Sequence, residues 1–251
     1  MEIKKISGLF ETMRCLRGKI VHLDWHLERL RLSAKLINLK LPVSRRQLEN
    51  EIYATVKLNC LNDARVRVVL EADPSGAEIF VSATAYQPFS AQRYQKGFSA
   101  ITSSLRQDER CLSARIKSTN RALYNLSLQE ARKKGFDEAI ILNQRGNICE
   151  GARSNIFFRL SGELFTPALA NGCLPGVIRR LIFDFAKKDG LNIYEGNFTL
   201  EDLAACNEAF LTNSLMGVMP LTRLGAKSIS GGKAGRVSRR FLNRYQLLLR
   251  K

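Results

Sequence analysis

The chain has 251 residues, 45% of them hydrophobic and 25% charged, a globular balance that excludes fibrous and disordered classes. Lysine and arginine total 40 against 23 acidic residues, a formal charge of +17 that suits anionic partners, small or large. The basic residues are spread along the chain without the interleaved aromatics of a stacking platform, so nucleic acid is not an expected partner.

No apolar run is long enough to cross a membrane. The opening "MEIKKISGLF" lacks the apolar core and cleavage site of a secretory leader, so a cytoplasmic location is expected and the sequons at Asn125 and Asn197 carry little meaning. Cys15, Cys60, Cys111, Cys149, Cys173 and Cys206 are scattered without a C-x-x-C pair, which reads as reduced thiols. With two histidines and no close cysteine spacing, no metal site is expected.

In chain order, "GLFETMRCLRGKIVHL" predicts two strands turning at Arg17-Gly18. "LDWHLERLRLSAKLI" then sets Leu23, Leu27, Leu30, Ala34 and Ile37 on one helical face, with His26 and Arg29 off that stripe but adjacent to each other. Ser44 is the expected N-cap of a second helix carrying Leu48, Ile52 and Val56. "ARVRVVLEA" and "AEIFVSATAY" predict a hairpin around Asp73-Pro74-Ser75-Gly76. Periodicity lapses in "QPFSAQRYQKG", the expected linker between domains.

Beyond it, "RALYNLSLQEARKKG" predicts a helix ending at Gly135. Strands follow in "DEAIIL", "NICEG", "SNIFFRL" and "GELFTP", with a turn near Arg145-Gly146-Asn147. "PGVIRRLIFDFAKKDG" is a helix between Gly176 and Gly190, and "NEAFLTNS" a buried strand entering a loop. The mixture is α/β or α+β in two unequal parts: an N-terminal domain over 1–88, a linker over 89–97 and a larger domain over 98–251.

Taken together, "FETMR", "HLERL", "IKSTNR", "EGARSNIFF", "LPGVIRR" and "TNSLMGVMPL" resemble, in order, the motifs of the class IV aminotransferases, the fold-type-IV pyridoxal-phosphate enzymes. That family includes branched-chain aminotransferases, D-amino acid aminotransferases and aminodeoxychorismate lyase. The resemblance implies a small N-terminal α/β domain, a larger barrel-like C-terminal domain, pyridoxal 5'-phosphate as cofactor and a homodimer.

Residue by residue, Lys117 matches the lysine that forms the Schiff base with the cofactor, although an isolated lysine is ordinarily a solvated charge. Glu150 matches the carboxylate that pairs with the pyridine nitrogen, keeping the ring able to accept electron density. Arg29, the amides of Val177 and Ile178, the Ser214 hydroxyl and the Leu215 amide match the phosphate-binding positions. Their bland alternatives are an arginine lying over its own helix, an ordinary helix start and an ordinary turn serine.

The sequence departs from the family pattern at several points. It starts later than relatives that have a further strand and an Asn-Gly turn before "FET". Phe10 stands where some relatives carry a tyrosine near the cofactor hydroxyl, and Ala122 fills the alternative tyrosine position, so that donor is unassigned. The glycine- and arginine-rich segment of many lyases and D-amino acid enzymes is replaced by "RVVLEADPSGAEIF". Arg67, Arg110, Arg115 and Arg153 are then open candidates for the substrate carboxylate.

"TNSLMGVMPL" and "KSTNR" resemble the lyases more than the branched-chain enzymes. The expected activity is release of pyruvate and para-aminobenzoate from aminodeoxychorismate, on the path to folate. The alternative is transamination of a branched-chain or D-amino acid, and the third reading a non-catalytic polyanion-binding protein. On either enzymatic reading the partner is a small anionic substrate of amino acid type.

Overall fold

The computed structural model describes residues 6–74 and 76–250. Ser75 of the expected hairpin turn, and the first five residues of the opening segment, lie outside the described residues. The chain divides into two compact units, Met1–Pro88 with Ile116–Arg121, and Phe89–Arg115 with Ala122–Lys251.

The first unit holds β1 (Gly8–Leu16), β2 (Lys19–Ile20), α1 (Leu23–Leu36), α2 (Arg45–Leu58), β3 (Ala64–Asp73) and β4 (Gly76–Ala85). Its antiparallel four-stranded sheet has the order β2-β1-β3-β4. Alternation decides its two faces. The pairs Leu9–Leu70, Met13–Val66 and Cys15–Ala64 lie on the face packed by the helices, and Phe10–Val69, Thr12–Arg67 and Arg14–Arg65 lie on the other.

Ser44 caps α2 in a reciprocal capping box with Gln47, as its position before the apolar stripe predicts. The stripe of α1 is wider than its periodicity implies, because His26 and Arg29 are buried alongside Leu27, Leu30 and Ala34. The reason is Glu11. It has the parity of Leu9 and Met13, so it faces the helix from within the core and pairs with both residues.

The second unit comprises α3 (Ala91–Lys96), β5 (Phe98–Gln107), α4 (Ala122–Lys133), β6 (Glu138–Asn143), β7 (Ile148–Gly151), β8 (Asn155–Leu160), β9 (Glu163–Pro167), α5 (Val177–Lys188), β10 (Ile193–Gly196), α6 (Leu200–Ala205), β11 (Glu208–Asn213), β12 (Gly217–Leu224), β13 (Lys227–Ser228) and α7 (Arg236–Leu248). The nine-stranded sheet runs β10-β9-β8-β11-β12-β5-β6-β7, with β13 against β12. Its pairings are mixed: β9–β10, β5–β12 and β5–β6 are parallel, the rest antiparallel.

The sheet curls on itself. Ile148 of the edge strand β7 donates to the carbonyl of Phe198, just past the opposite edge strand β10, at 2.7 Å. Gly151 N donates to Ser154 O, ahead of β8, at 2.7 Å. The architecture is thus mixed α/β with a barrel-like second unit, as the motifs imply. Every residue of β6 is buried, and stacked Phe157 and Phe210, 5.1 Å between centroids, anchor a core that α5 and α7 cover.

Periodicity left α3, β5, β10, α6, β12, β13 and α7 unpredicted, and α3 lies within the stretch expected to be a linker. In α7 the buried positions Val237, Phe241, Leu242 and Tyr245 do repeat at helical spacing, but the arginines among them dilute the pattern in the sequence. Its N-cap is Gly235, and the cap is supplied from afar: Glu208 accepts from Val237 N at 3.1 Å and from Ser238 N at 2.5 Å.

Candidate active site

The motif residues fall into two groups, Arg29 and Lys117 in the first unit and Glu150, Val177, Ile178, Ser214 and Leu215 in the second. Segment 116–121 runs antiparallel along β1: Phe10 N donates to Lys117 O at 2.8 Å, and Thr119 N to Gly8 O at 2.9 Å. The approach is close enough that a Cβ on Gly8 would lie 2.8 Å from Leu70 O, so only glycine fits there.

Ile116 and Ser118 are buried to either side, and alternation turns the Lys117 side chain to the opposite face, that of Phe10. Lys117 Nζ stands 4.5 Å from the Phe10 ring centroid. The Arg67 guanidinium lies 4.3 Å and that of Arg121 5.9 Å from the same centroid. Burial and the charges of Arg65 and Arg121 hold the Arg67 pKa below its usual value, against the pull of Glu71. Three cations share one uncharged ring, an arrangement that favours an anionic guest.

Arg29 is fixed from below. Its Nε donates to Glu11 Oε1 at 2.8 Å and its Nη2 to Glu11 Oε2 at 2.6 Å. His26 Nδ1 is 2.6 Å from the same Oε2. Burial would raise the Glu11 carboxyl, but the Arg29 charge and the hydrogen bonds from His26 and Arg29 overcome it and hold the pKa at about 2. Burial lowers His26 despite Glu11, and a neutral imidazole facing a carboxylate carries its proton on Nδ1.

In the second unit Glu150, 5% exposed, is the third residue of β7. Its Oε1 accepts from Tyr124 OH at 3.0 Å, and its Oε2 from Leu174 N at 3.1 Å and Asn155 Nδ2 at 3.3 Å. The turn after it is held by buried Glu138, which accepts from Ala139 N, Arg153 N and Ser154 Oγ. Burial raises the Glu138 pKa against these donors.

Asn155 also donates to Leu174 O at 2.8 Å, tying Glu150 to the segment that leads into α5. There Gly176 is the N-cap and brings no side chain to the first-turn amides of Val177 and Ile178. A Cβ on Gly176 would overlap the Asn155 amide. Ser214 and Leu215 sit in the turn after β11, which Asn213 organises: its Oδ1 accepts from Leu215 N at 3.0 Å and Met216 N at 2.9 Å.

Of the other arginine candidates, Arg110 is exposed and paired with Asp108, and Arg115 and Arg153 are exposed; Arg67 is the one that shares a ring with Lys117. Glu11, Arg121, Tyr124 and Asn155 were not singled out from the sequence. Glu11 carried a signal, a carboxylate with core parity opposite a helix bearing His26 and Arg29. Tyr124 carried none, because its partner is 26 residues away. Among the described residues no group of His, Cys, Asp or Glu could hold a metal ion, and no helix is long and apolar enough to cross a membrane.

An α/β unit followed by a curled mixed sheet is the architecture of the fold-type-IV pyridoxal-phosphate enzymes. The amino-transferase class IV family matches residues 8–224, and the chain belongs to it. It is similar to the aminodeoxychorismate lyase of Bacillus subtilis (strain 168), 30% identical over 227 residues, 86% of this chain and 77% of the relative. The D-alanine aminotransferase of Listeria monocytogenes is 29% identical over 244 residues, 92% and 83% of the two chains. The crystal structure of the Escherichia coli branched-chain amino acid aminotransferase matches at a TM-score of 0.91 and 25% identity, covering 98% and 86%.

The residues present fit the family's cofactor part by part. Uncapped amides at the start of α5 suit a phosphate, a buried carboxylate held by neutral donors suits a pyridinium nitrogen, and the amine of Lys117 suits an aldehyde.

Proposed function

We propose that the chain is a pyridoxal-phosphate-dependent lyase that splits aminodeoxychorismate into pyruvate and para-aminobenzoate. When bound, the cofactor supplies an electron sink for the carbon that carries the substrate amine. Lys117 would hold the cofactor through its aldehyde and, once the substrate is bound, would act as the base and acid. It takes the proton from the amine-bearing carbon and returns one to the methylene of the departing enolpyruvyl group. Glu150 holds the proton on the pyridine nitrogen. Arg29, the amides of Val177 and Ile178, and the Ser214 hydroxyl hold the phosphate. The Leu215 amide completes that set by exchanging its bond to Asn213.

The observation that carries the reading is the gathering of Arg67 and Arg121 with Lys117 around Phe10. Two guanidiniums beside the nucleophile suit a substrate with two carboxylates, and the apolar ring suits its cyclohexadiene. The 30% identity to a lyase supports the same choice. The second reading, transamination of a D-amino or branched-chain acid, draws support from the similarity to enzymes of those names.

Either reading includes a homodimer, which sedimentation tests. The deciding assay is release of pyruvate and para-aminobenzoate from aminodeoxychorismate without an oxo acid acceptor. Equal release of both, lost in Lys117→Ala, is the expected result. A yellow, cofactor-loaded protein that releases neither, yet transfers an amino group to an oxo acid, overturns the lyase in favour of the aminotransferase.

A further inference from the structure

The Glu150 carboxylate has two oxygens in unequal settings. Oε2 is held by a backbone amide, Leu174 N, and by the Asn155 side chain, which also bonds Leu174 O. These donors belong to the loop entering α5 and fix one end of the group. Oε1 is held by Tyr124 OH at 3.0 Å, from a different element, α4. A carboxylate pinned through one oxygen can still rotate about its last bond, and a donor on the second oxygen stops that rotation and favours the ionised form. Tyr124 is itself buried, and its helix packs on β5 and β6, beside β7. The donor is therefore set by the core and not by a mobile surface group.

We propose that Tyr124 is a positioning residue for the cofactor: through its hydrogen bond to Oε1 it keeps Glu150 ionised and turned so that its carboxylate can hold the proton of the pyridine nitrogen. The inference rests on the reading of Glu150 as the partner of that nitrogen. It gives α4 two duties, since the same helix follows directly on the Lys117 segment in the chain. The effect of Tyr124 on the cofactor runs through Glu150, so it depends on the carboxylate being there.

The test uses the purified holoenzyme and the absorption spectrum of its bound cofactor, titrated with pH. Tyr124→Phe removes one oxygen and keeps the ring packed; a circular-dichroism melt checks that the protein is folded. The expected result is a retained cofactor whose titration midpoint moves towards that of Glu150→Gln by roughly 0.5–1 pH unit, the size of one typical net hydrogen bond. Affinity for added pyridoxal phosphate falls by about 3- to 10-fold on the same basis.

In the Glu150→Gln background, adding Tyr124→Phe changes neither quantity. A titration identical to wild type, or an equal shift with and without the Glu150 carboxylate, overturns the proposal and leaves Tyr124 a packing residue. Failure of the underlying reading looks different: wild-type protein then binds no pyridoxal phosphate, borohydride traps no adduct on Lys117, and both inferences fall together.

Discussion

Replacing Glu11 by glutamine tests the electrostatic account of the first unit. Glu11 is 1% exposed, and its pKa is lowered from 4.5 to about 2 by Arg29 and His26 in spite of burial. A pKa unit is about 1.4 kcal/mol, so ionisation of this carboxyl contributes about 3 kcal/mol to folding at neutral pH. Because the folded value is depressed, that contribution is fully present above pH 4.5 and is lost as pH falls through about 2.

Trp25, the one tryptophan, lies on α1 and reports on this unit. Urea titrations followed by its fluorescence should find Glu11→Gln less stable by about 3 kcal/mol at pH 7. The gap to wild type should shrink steadily as the acid limb is reached. A gap that stays constant with pH, or that is under about 1 kcal/mol at pH 7, would refute the argument, since Arg29 would then be held by packing rather than by charge.

Elsewhere, Glu208→Ala strips the two amides at the start of α7 of their buried acceptor and should cost about 2–3 kcal/mol in chemical denaturation; a loss below about 1 kcal/mol would mean water replaces it. Gly217→Ala meets a φ of +69° and overlaps the Tyr245 ring, for an expected loss of about 2–4 kcal/mol by the same assay, against a smaller loss of about 1 kcal/mol at Gly162, where φ is +94° but no atom lies near the added Cβ. Burial pushes the Cys173 thiol up to about 12, Cys206 to about 11 and Cys149 higher still, while Cys60 is exposed. A thiol reagent at pH 8 should therefore modify Cys60 first and leave Cys149 and Cys173 untouched in the native protein, as peptide mapping would reveal.

Local chemistry was legible in the sequence where it is also local in the fold. The Ser44 capping box, the Arg17-Gly18 turn and the start of α5 after Gly176 follow from residues within a few positions of one another. The motif order was enough to identify the family, which the match over residues 8–224 shows. What escaped depends on residues far apart: the cap of α7 comes from β11, and the donor to Glu150 Oε1 from α4.

Glu11 lies between these cases. Its alternation with Leu9 and Met13 places it in the core, but a charge there becomes intelligible only once α1 is seen to bring His26 and Arg29 over it. Arg67 was one of several arginines open for the substrate. Geometry separates it from Arg110, because one guanidinium lies over Phe10 and the other is occupied by a neighbouring aspartate.

The segment that carries Lys117 belongs to the first unit although the chain on both sides of it belongs to the second. As the polypeptide leaves the ribosome, its first 88 residues can pair their strands, yet the Phe10 amide lacks its acceptor and the core lacks Ile116. The unit can be completed only after the chain has gone on to begin the larger sheet and come back. The last piece of this unit to be synthesised is the segment that carries Lys117, which can be laid along β1 only after all four strands of the sheet have been made.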